Sequence, residues 1–462
     1  MAHCHDNLIL YTNNCCGMKT LMLLCTLVLT ITCHSQDVFI NYPAPEGIQP
    51  APDYQLEING QKVFVYNTRS AAYAYCSFSG QLHVTVTPSA KVYYYTIRPL
   101  SRNISASANN NQVSFILTKP AHLSIEINGN KRRPLFLFAD SLEQHIPDST
   151  QKNVTYYGPG IHKVGNVPVK SNQLVYIAGG AVVEGAFDIS NAQNVQVKGR
   201  GILDNSSYKK GEARPVAITN SQHVNIEGII IAESRHWTCG SYSNNNVHYN
   251  NLKVVSDNDW DDGIDIVASA YITISNCFIR TKDDCIAIKS GVDYFGKANH
   301  RTTANINVSN CIFWNGAWGN ALEIGFETST DTIQDIRFSD CDIIHAEGPE
   351  GTLTIHNGDR AFIKNIYYNN IRIEEVEGYL VDFKILFSQY STDKQRGFIS
   401  NIFLDNITVN SQRFPTSLLL GFNDTNNISN IHIRDLRING KHINSAFDGM
   451  MTAMHCKDLV FE

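Results

Sequence analysis

The sequence predicts an all-β protein, a right-handed parallel β-helix preceded by a small β-sandwich. Three observations predict it. A four-residue apolar/polar motif recurs through the C-terminal two thirds of the chain. Asn or Asp corner residues follow that motif at a nearly fixed offset. The front of the chain alternates apolar and polar residues in short runs bounded by turn residues.

The recurring motif includes Asn194-Val195-Gln196-Val197, His223-Val224-Asn225-Ile226, Tyr271-Ile272-Thr273-Ile274, Asn365-Ile366-Tyr367-Tyr368 and Asn430-Ile431-His432-Ile433. Its anchors fall at 195, 224, 247, 272, 306, 336, 366, 402 and 431, so successive steps run from 23 to 36 residues. Periods in this range, with several short strands each and no helical stripe, define a β-solenoid. The variable step predicts a constant strand core with insertions in the turns. Segments such as Asn276-Cys277-Phe278, Asn310-Cys311-Ile312, Asp340-Cys341-Asp342 and Asn369-Asn370-Ile371 occupy one slot after the anchor. Asn and Asp tolerate left-handed turns, so stacked coils would build a ladder at that corner. Cys277, Cys311 and Cys341 would then stack inside as small hydrophobes.

Residues 37–147 are expected to be the sandwich and residues 148–462 the β-helix. Runs such as Lys62-Val63-Phe64-Val65-Tyr66 and His83-Val84-Thr85-Val86, separated by Asn59-Gly60 and Asn128-Gly129, predict short antiparallel strands. Residues 1–36 carry a leader pattern. Met18-Lys19-Thr20 precedes an apolar run over 21–31 and cleavage is expected around 35–37, which makes Met18 the expected start and the protein secreted. A lipid on Cys33 is the alternative, with Thr32 a poor fit to that signal. No later segment is apolar enough to cross a membrane.

A net charge of −6 and no Arg-rich run give no electrostatic reason to expect nucleic acid. The mildly acidic balance also argues against a polyanionic substrate, weakly, because a cleft can differ from the average. Seven of the 12 cysteines lie beyond residue 36 without a CxxC spacing, which argues against zinc. No cofactor is implied.

Three coils carry unusual residues: Asp259-Trp260-Asp261-Asp262-Gly263-Ile264-Asp265, Lys282-Asp283-Asp284-Cys285-Ile286-Ala287-Ile288-Lys289 and Trp318-Gly319-Asn320-Ala321-Leu322-Glu323. Positions 264/266, 286/288 and 322/324 should point into the coil, leaving Asp265, Lys289 and Glu323 outward. Asp262 and Asp284 precede equivalent strands, so carboxylates gather at one end of adjacent strands. Like charges this close raise one another's pKa. A fold tolerates that where it needs a protonated and an ionised group side by side, as glycoside hydrolysis does. A corner cap and a calcium site are the structural alternatives.

The two aspartate motifs resemble glycoside hydrolase family 28, the polygalacturonases. The resemblance implies that Asp283 is the general acid and that Asp262 and Asp284 activate a water, with inversion. Two further motifs depart. Gly319-Asn320-Ala321 stands where that family has Gly-His-Gly, and Thr354-Ile355-His356 where it has Arg-Ile-Lys for the sugar carboxylate. Losing both cations removes the charge-paired grip on galacturonate. The front end, with Tyr157-Gly158-Pro159-Gly160 and Ala178-Gly179-Gly180-Ala181, resembles family 49, the dextranase and isopullulanase group acting on neutral α-glucans. The expected function is therefore an inverting hydrolase of a neutral or non-galacturonate polysaccharide, with a pectic polymer as the alternative substrate.

Around the aspartates, Glu323, His356, Asn320, Lys289, Asp265, Trp260, Trp318 and His236 are candidate substrate contacts. Trp237 and Trp314 fall in the same stretch, and aromatic faces stack on sugars. A polysaccharide lyase would need a uronate and a cationic base, for which Lys289 is the candidate. A carbohydrate-binding β-helix would need the aromatics but not three aspartates.

Overall fold

Alternation in the front segment becomes two small sheets packed face to face. The computed structural model describes residues 37–294 and 296–462. The leader read into residues 1–36, with Met18 and Cys33, lies outside the described residues. One sheet has six strands and the other five, all between Val38 and Ser141. Strands Tyr54–Ile58 and Gln61–Val63 form a hairpin across Asn59 and Gly60, both with positive φ, as a two-residue turn matching strand twist requires. Leu56, Ile58, Val84, Val86, Val113 and Phe115 close the core between the sheets. The pairing is not wholly antiparallel, because Leu135–Ser141 runs parallel to Ala72–Ser79.

From Val154 to Phe461 the chain winds into a right-handed parallel β-helix whose strands form one continuous 31-stranded sheet. The repeat anchors stack in register: Val195, Val224, Val247, Ile272, Ile306, Ile336, Ile366, Ile402 and Ile431 are successive partners. All nine are buried in the one core that fills the coil. The residue before each anchor turns the chain through positive φ, as at Asn194, Asn246, Asn305, Asp335 and Asn401. A second corner is tied coil to coil by side-chain amides, Asn276 to Asn250 at 2.7 Å and Asn310 to Asn276 at 2.7 Å. Directly after the left-handed corner residues Asn251, Asn276, Asn310 and Asp340, the side chains of Leu252, Cys277, Cys311 and Cys341 lie inside the core, and the cysteines are free thiols.

The sandwich sits on the β-helix through a second apolar layer. Phe136 and Phe138 pack against Phe278 at ring distances of 4.9 and 5.2 Å, and Phe136 meets Trp314 edge-on at 5.8 Å. Trp314 is fully buried here, its indole N–H donating to Glu347 at 3.1 Å, so it belongs to this seam and not to the cleft where its sequence position suggested it. Buried ion pairs pin the same seam: Lys253 Nζ to Asp140 at 2.7 Å and Arg98 to Glu374 at 2.6 Å. Among the described residues no helix is long and apolar enough to cross a membrane.

Truncating Phe136 to Ala should cost about 3–5 kcal/mol, the usual range for a large buried aromatic. Urea denaturation of the variant would check it; a midpoint matching the parent would mean that the Phe136 contact contributes nothing to stability.

Candidate active site

Register builds the site. In three successive coils the strands Ile264–Val267, Ile286–Val292 and Leu322–Thr328 pair in parallel, with Ile264 beside Ile286 and Ile286 beside Leu322. Residues two places ahead of each strand therefore stack as a column, Asp262, Asp284 and Asn320. The column beside it is Asp261, Asp283 and Gly319. Backbone bonds from Gly263 N–H to Asp284 O (2.8 Å) and from Cys285 N–H to Asn320 O (3.0 Å) tie the coils at this point. Parallel strands lie roughly 4.8 Å apart, so the three aspartates are forced into one small volume.

They line a cavity of about 660 Å³ together with His236, Trp237, Trp260, Lys289, Trp318, Asn320, Phe326, Glu327, Glu350 and Tyr390. A groove of about 940 Å³ crosses the outer face of the sandwich, but its walls carry no carboxylate. The aspartate cavity is the candidate site.

Burial drives the charge states. Asp262 is fully buried, which raises its pKa, and neighbouring Asp265 raises it further. Lys289 opposes this, with Nζ 3.4 Å from Asp262 and 3.0 Å from Asp265. Burial would neutralise the lysine, but Asp265 and Asp262 hold it protonated well above its usual value. Trp237 closes over the ammonium at 4.1 Å from its ring centroid. Asp284 is pushed up by burial and then by Asp262 and Asp283, and its Oδ1 accepts the Asn320 backbone N–H at 2.6 Å. Asp283 reaches about 7 through burial and the charge of Asp262, and it is only partly covered. Lys289 favours an ionised Asp262 and the Asn320 amide an ionised Asp284. Asp283 accepts the Asp284 backbone N–H at 3.1 Å and is the least covered of the three; burial and mutual repulsion push all three above the usual carboxylate range, so the cluster retains protons near neutrality.

Asp261 was not singled out by the sequence, yet it organises the site. Its fully buried carboxylate accepts the backbone N–H groups of Lys282 (2.9 Å), Asp283 (3.0 Å) and Asn258 (2.9 Å). It thereby fixes the start of the Asp283 coil to the coil before it. The run Asp261-Asp262 ahead of Gly263 was a signal that one of the two carboxylates is structural.

The expected substrate contacts divide. His236, Trp260, Lys289, Trp318 and Asn320 line the cavity. Asp265, Glu323 and His356 do not, and their assignment as substrate contacts is corrected on burial, at 0, 0 and 1% exposure. All three point outward from the coil, as alternation predicts, but a second layer covers them. Phe326 stacks on His356 at 4.4 Å, and Glu323 receives bonds from Asn320 (3.0 Å), Thr354 and His356 (3.0 Å). Asp382 lies 3.4 Å from Nε2, the ring nitrogen of His356 not taken by Glu323, and pairs with Lys384 at 2.7 Å. Against the desolvation that would lower it, Glu323 and Asp382 hold His356 protonated, with a pKa of about 10. This cation is balanced within the floor and does not reach the cleft. His236 is pushed down to about 4, first by burial and then by Arg214 and Lys289, so it is neutral. Among the described residues no group of three or more His, Cys, Asp or Glu is arranged to hold a metal ion.

A parallel β-helix whose stacked aspartates line a cleft is the arrangement of glycoside-cleaving β-helices. The chain belongs to the glycosyl hydrolases family 28, whose model matches residues 163–456. It is 26% identical over 166 residues to endopolygalacturonase D of Aspergillus niger, a match covering 36% of this chain and 29% of that protein. It is 28% identical over 120 residues to a "Probable polygalacturonase" of Arabidopsis thaliana, covering 26% of this chain and 24% of that one. The chain thus spans under a third of the length of these curated relatives. Among solved structures, Dex49A from Penicillium minioluteum superposes with a TM-score of 0.59 at 14% identity, covering 92% of this chain and 96% of that one. The family 28 exopolygalacturonase of Yersinia enterocolitica superposes at 0.54 and 12% identity, covering 91% and 98%. Both likenesses are of fold.

Two outcomes check this electrostatic arrangement. Lys289→Met removes the cation that lowers the pKa of Asp262, so the acidic limb of the pH–activity profile should move to higher pH; an unmoved limb would contradict the pairing. Asp261→Asn keeps an acceptor for Lys282 and Asp283 but turns an NH₂ toward the Asn258 N–H, and should cost about 1–3 kcal/mol in chemical denaturation.

Proposed function

We propose that this chain hydrolyses an O-glycosidic bond of a pectic polysaccharide with inversion, Asp283 acting as general acid and Asp262 and Asp284 activating the water. The observation that carries it is the column geometry: three carboxyls converge on one cavity, and a single ammonium, Lys289, is committed to one of them. Such a site provides both a proton for the departing oxygen and an ionised base opposite, which acetal cleavage needs. The names of the curated relatives, polygalacturonases, favour a pectic polymer over the dextran-like substrate expected from the missing cations. Export across a membrane belongs to the same reading and is supported by the leader pattern over residues 18–36.

One observation favours a second reading for the sugar that spans the aspartates. Among the described residues lining the cavity, Lys289 is the one cation, and it is paired with Asp262 and Asp265. His356, where a carboxylate-binding lysine would stand, lies under Phe326. An uncharged sugar at the cleavage point fits this better than a free uronate.

Reducing-end release from polygalacturonate, rhamnogalacturonan, dextran and pullulan, with and without EDTA, tests both. EDTA-resistant release from a pectic polymer is expected. Release from dextran or pullulan alone would transfer the function to neutral α-glucans, and products absorbing in the ultraviolet would mean elimination in place of hydrolysis. Asp283→Asn should lower kcat by about 10²–10⁴, the range for loss of a general acid, with the fold intact. Near-parental turnover in that variant would sink the mechanism.

A further inference from the structure

The groove of about 940 Å³ on the sandwich shares no lining residue with the aspartate cavity. The six-stranded sheet packs on the β-helix through Phe136 and Phe138, so the outer face of the five-stranded sheet is turned away from it. On that sheet Val84, Val113, Phe115 and Leu117 enter the sandwich core, and alternation turns His83, Thr85, Ser114 and Ile116 outward into the groove. Register sets hydroxyls side by side across three strands, Thr85 beside Ser114 and Ser114 beside Ser107. The Thr85 and Ser114 oxygens lie 3.2 Å apart. The short turn Leu100–Arg102 and the link ahead of Ala121 add Arg102 and Lys119.

The charge of this groove has one sign. Arg102 and Lys119 line it, no carboxylate does, and neither cation makes an ion pair among the described residues. The whole chain carries −6, so unopposed positive charge here runs against the average. Arg102 also lines an adjoining hollow of about 300 Å³ at the seam, together with Arg200. The Arg200 side chain is 9% exposed, its Nε makes no hydrogen bond, and its ion pair with Asp140 spans 3.6 Å. Asp140 is already held by Lys253 at 2.7 Å and His122 at 2.9 Å. The other carboxylate of that hollow, Glu227, accepts the Asn225 amide at 3.2 Å. Hydroxyls, an ammonium and guanidiniums suit a ligand with many hydroxyls and repeated negative charge. A neutral glycan would need an apolar ring to lie on, and the one Phe, Tyr or Trp of the lining, Phe115, is buried in the core.

We propose that this groove is a second polysaccharide-binding site, which holds a carboxylated glycan through Arg102 and Lys119 outside the cleft that cuts it. The proposal takes its ligand from the pectic reading and adds a site to it. Polymer held on the sandwich keeps its remaining length near the β-helix, so the cleft draws on a raised effective concentration of substrate.

The test uses the full chain carrying Asp283→Asn, so that bound polymer is not consumed. Lysine acylation read by mass spectrometry reports the site directly. Polygalacturonate should protect Lys119, and the same polymer with its carboxyls reduced to alcohols should not. Affinity electrophoresis then measures binding. Arg102→Gln together with Lys119→Gln, both at exposed positions, should weaken binding to polygalacturonate about tenfold, and each alone about threefold. Any binding to the reduced polymer should stay the same. Added salt should erase the difference between parent and variants. An unprotected Lys119, undiminished binding by the double variant, or an equal loss on both polymers would overturn the proposal. Failure of the Asp283→Asn parent to bind polygalacturonate would overturn it as well. Hydrolysis by the unsubstituted protein separates this from the broader reading. Pectic cleavage without protection of Lys119 sinks only the groove; protection without pectic cleavage sinks only the reaction.

Discussion

Every coil of this molecule must place its strands one parallel-sheet spacing, roughly 4.8 Å, above the strands of the coil before. That spacing decides which side chains can coexist, since each residue meets its own equivalent directly above and below. Apolar residues accept the condition freely: Ile272 on Ile306 on Ile336 buries each against the next. Asparagines accept it because an amide both donates and accepts, so the ladder from Asn250 through Asn276 to Asn310 satisfies itself. Aspartates do not. Asp262 over Asp284 is a stack that repulsion would expel from any position without compensating partners.

Those partners come from the same stacking. Lys289 lies in the coil of Asp284 yet pairs backward with Asp262 and Asp265 of the preceding coil. Asn320, in the coil after, supplies its backbone N–H to Asp284 and its side-chain amide to Glu323. Glu323, His356, Asp382 and Lys384 then continue the alternation of sign through three coils beneath the floor. Breaking one member of such a buried chain would leave its neighbour charged and unpaired, which costs more than the intact pair contributes. The carboxyl column over the cleft is thus sustained by a charge-alternating layer below it.

Much of this was legible in the sequence, for a reason that lies in the repeat itself. The nine anchors stack at the positions their periodicity marks, because register in a solenoid is written directly into the chain. The gathering of Asp262, Asp283 and Asp284 was legible in the same way. What alternation does not encode is a second layer. It says that Asp265, Glu323 and His356 leave the coil, but not that Trp237 closes over Lys289 or that Phe326 closes over His356. Trp314 fails for the same reason: its strand faces the sandwich, and docking of Phe136 there depends on a contact between residues far apart in sequence. Asp261 was hidden by its neighbour, since two adjacent carboxylates read as one motif until their hydrogen bonds separate acceptor from reactant.

Under the proposed reaction, the location of the positive charges follows from what Asp283 requires. An ammonium held against that carboxyl would stabilise its ionised form and strip the proton the reaction needs. Burial and the charge of Asp262 instead raise Asp283 to about 7, and Lys289 and Lys282 lower it less than these raise it. Lys289 is drawn toward Asp262 and Asp265, Lys282 toward Asp259, and His356 is enclosed by Glu323 and Asp382. Each cation near the cleft has its own acidic partner, so none is committed to the acid.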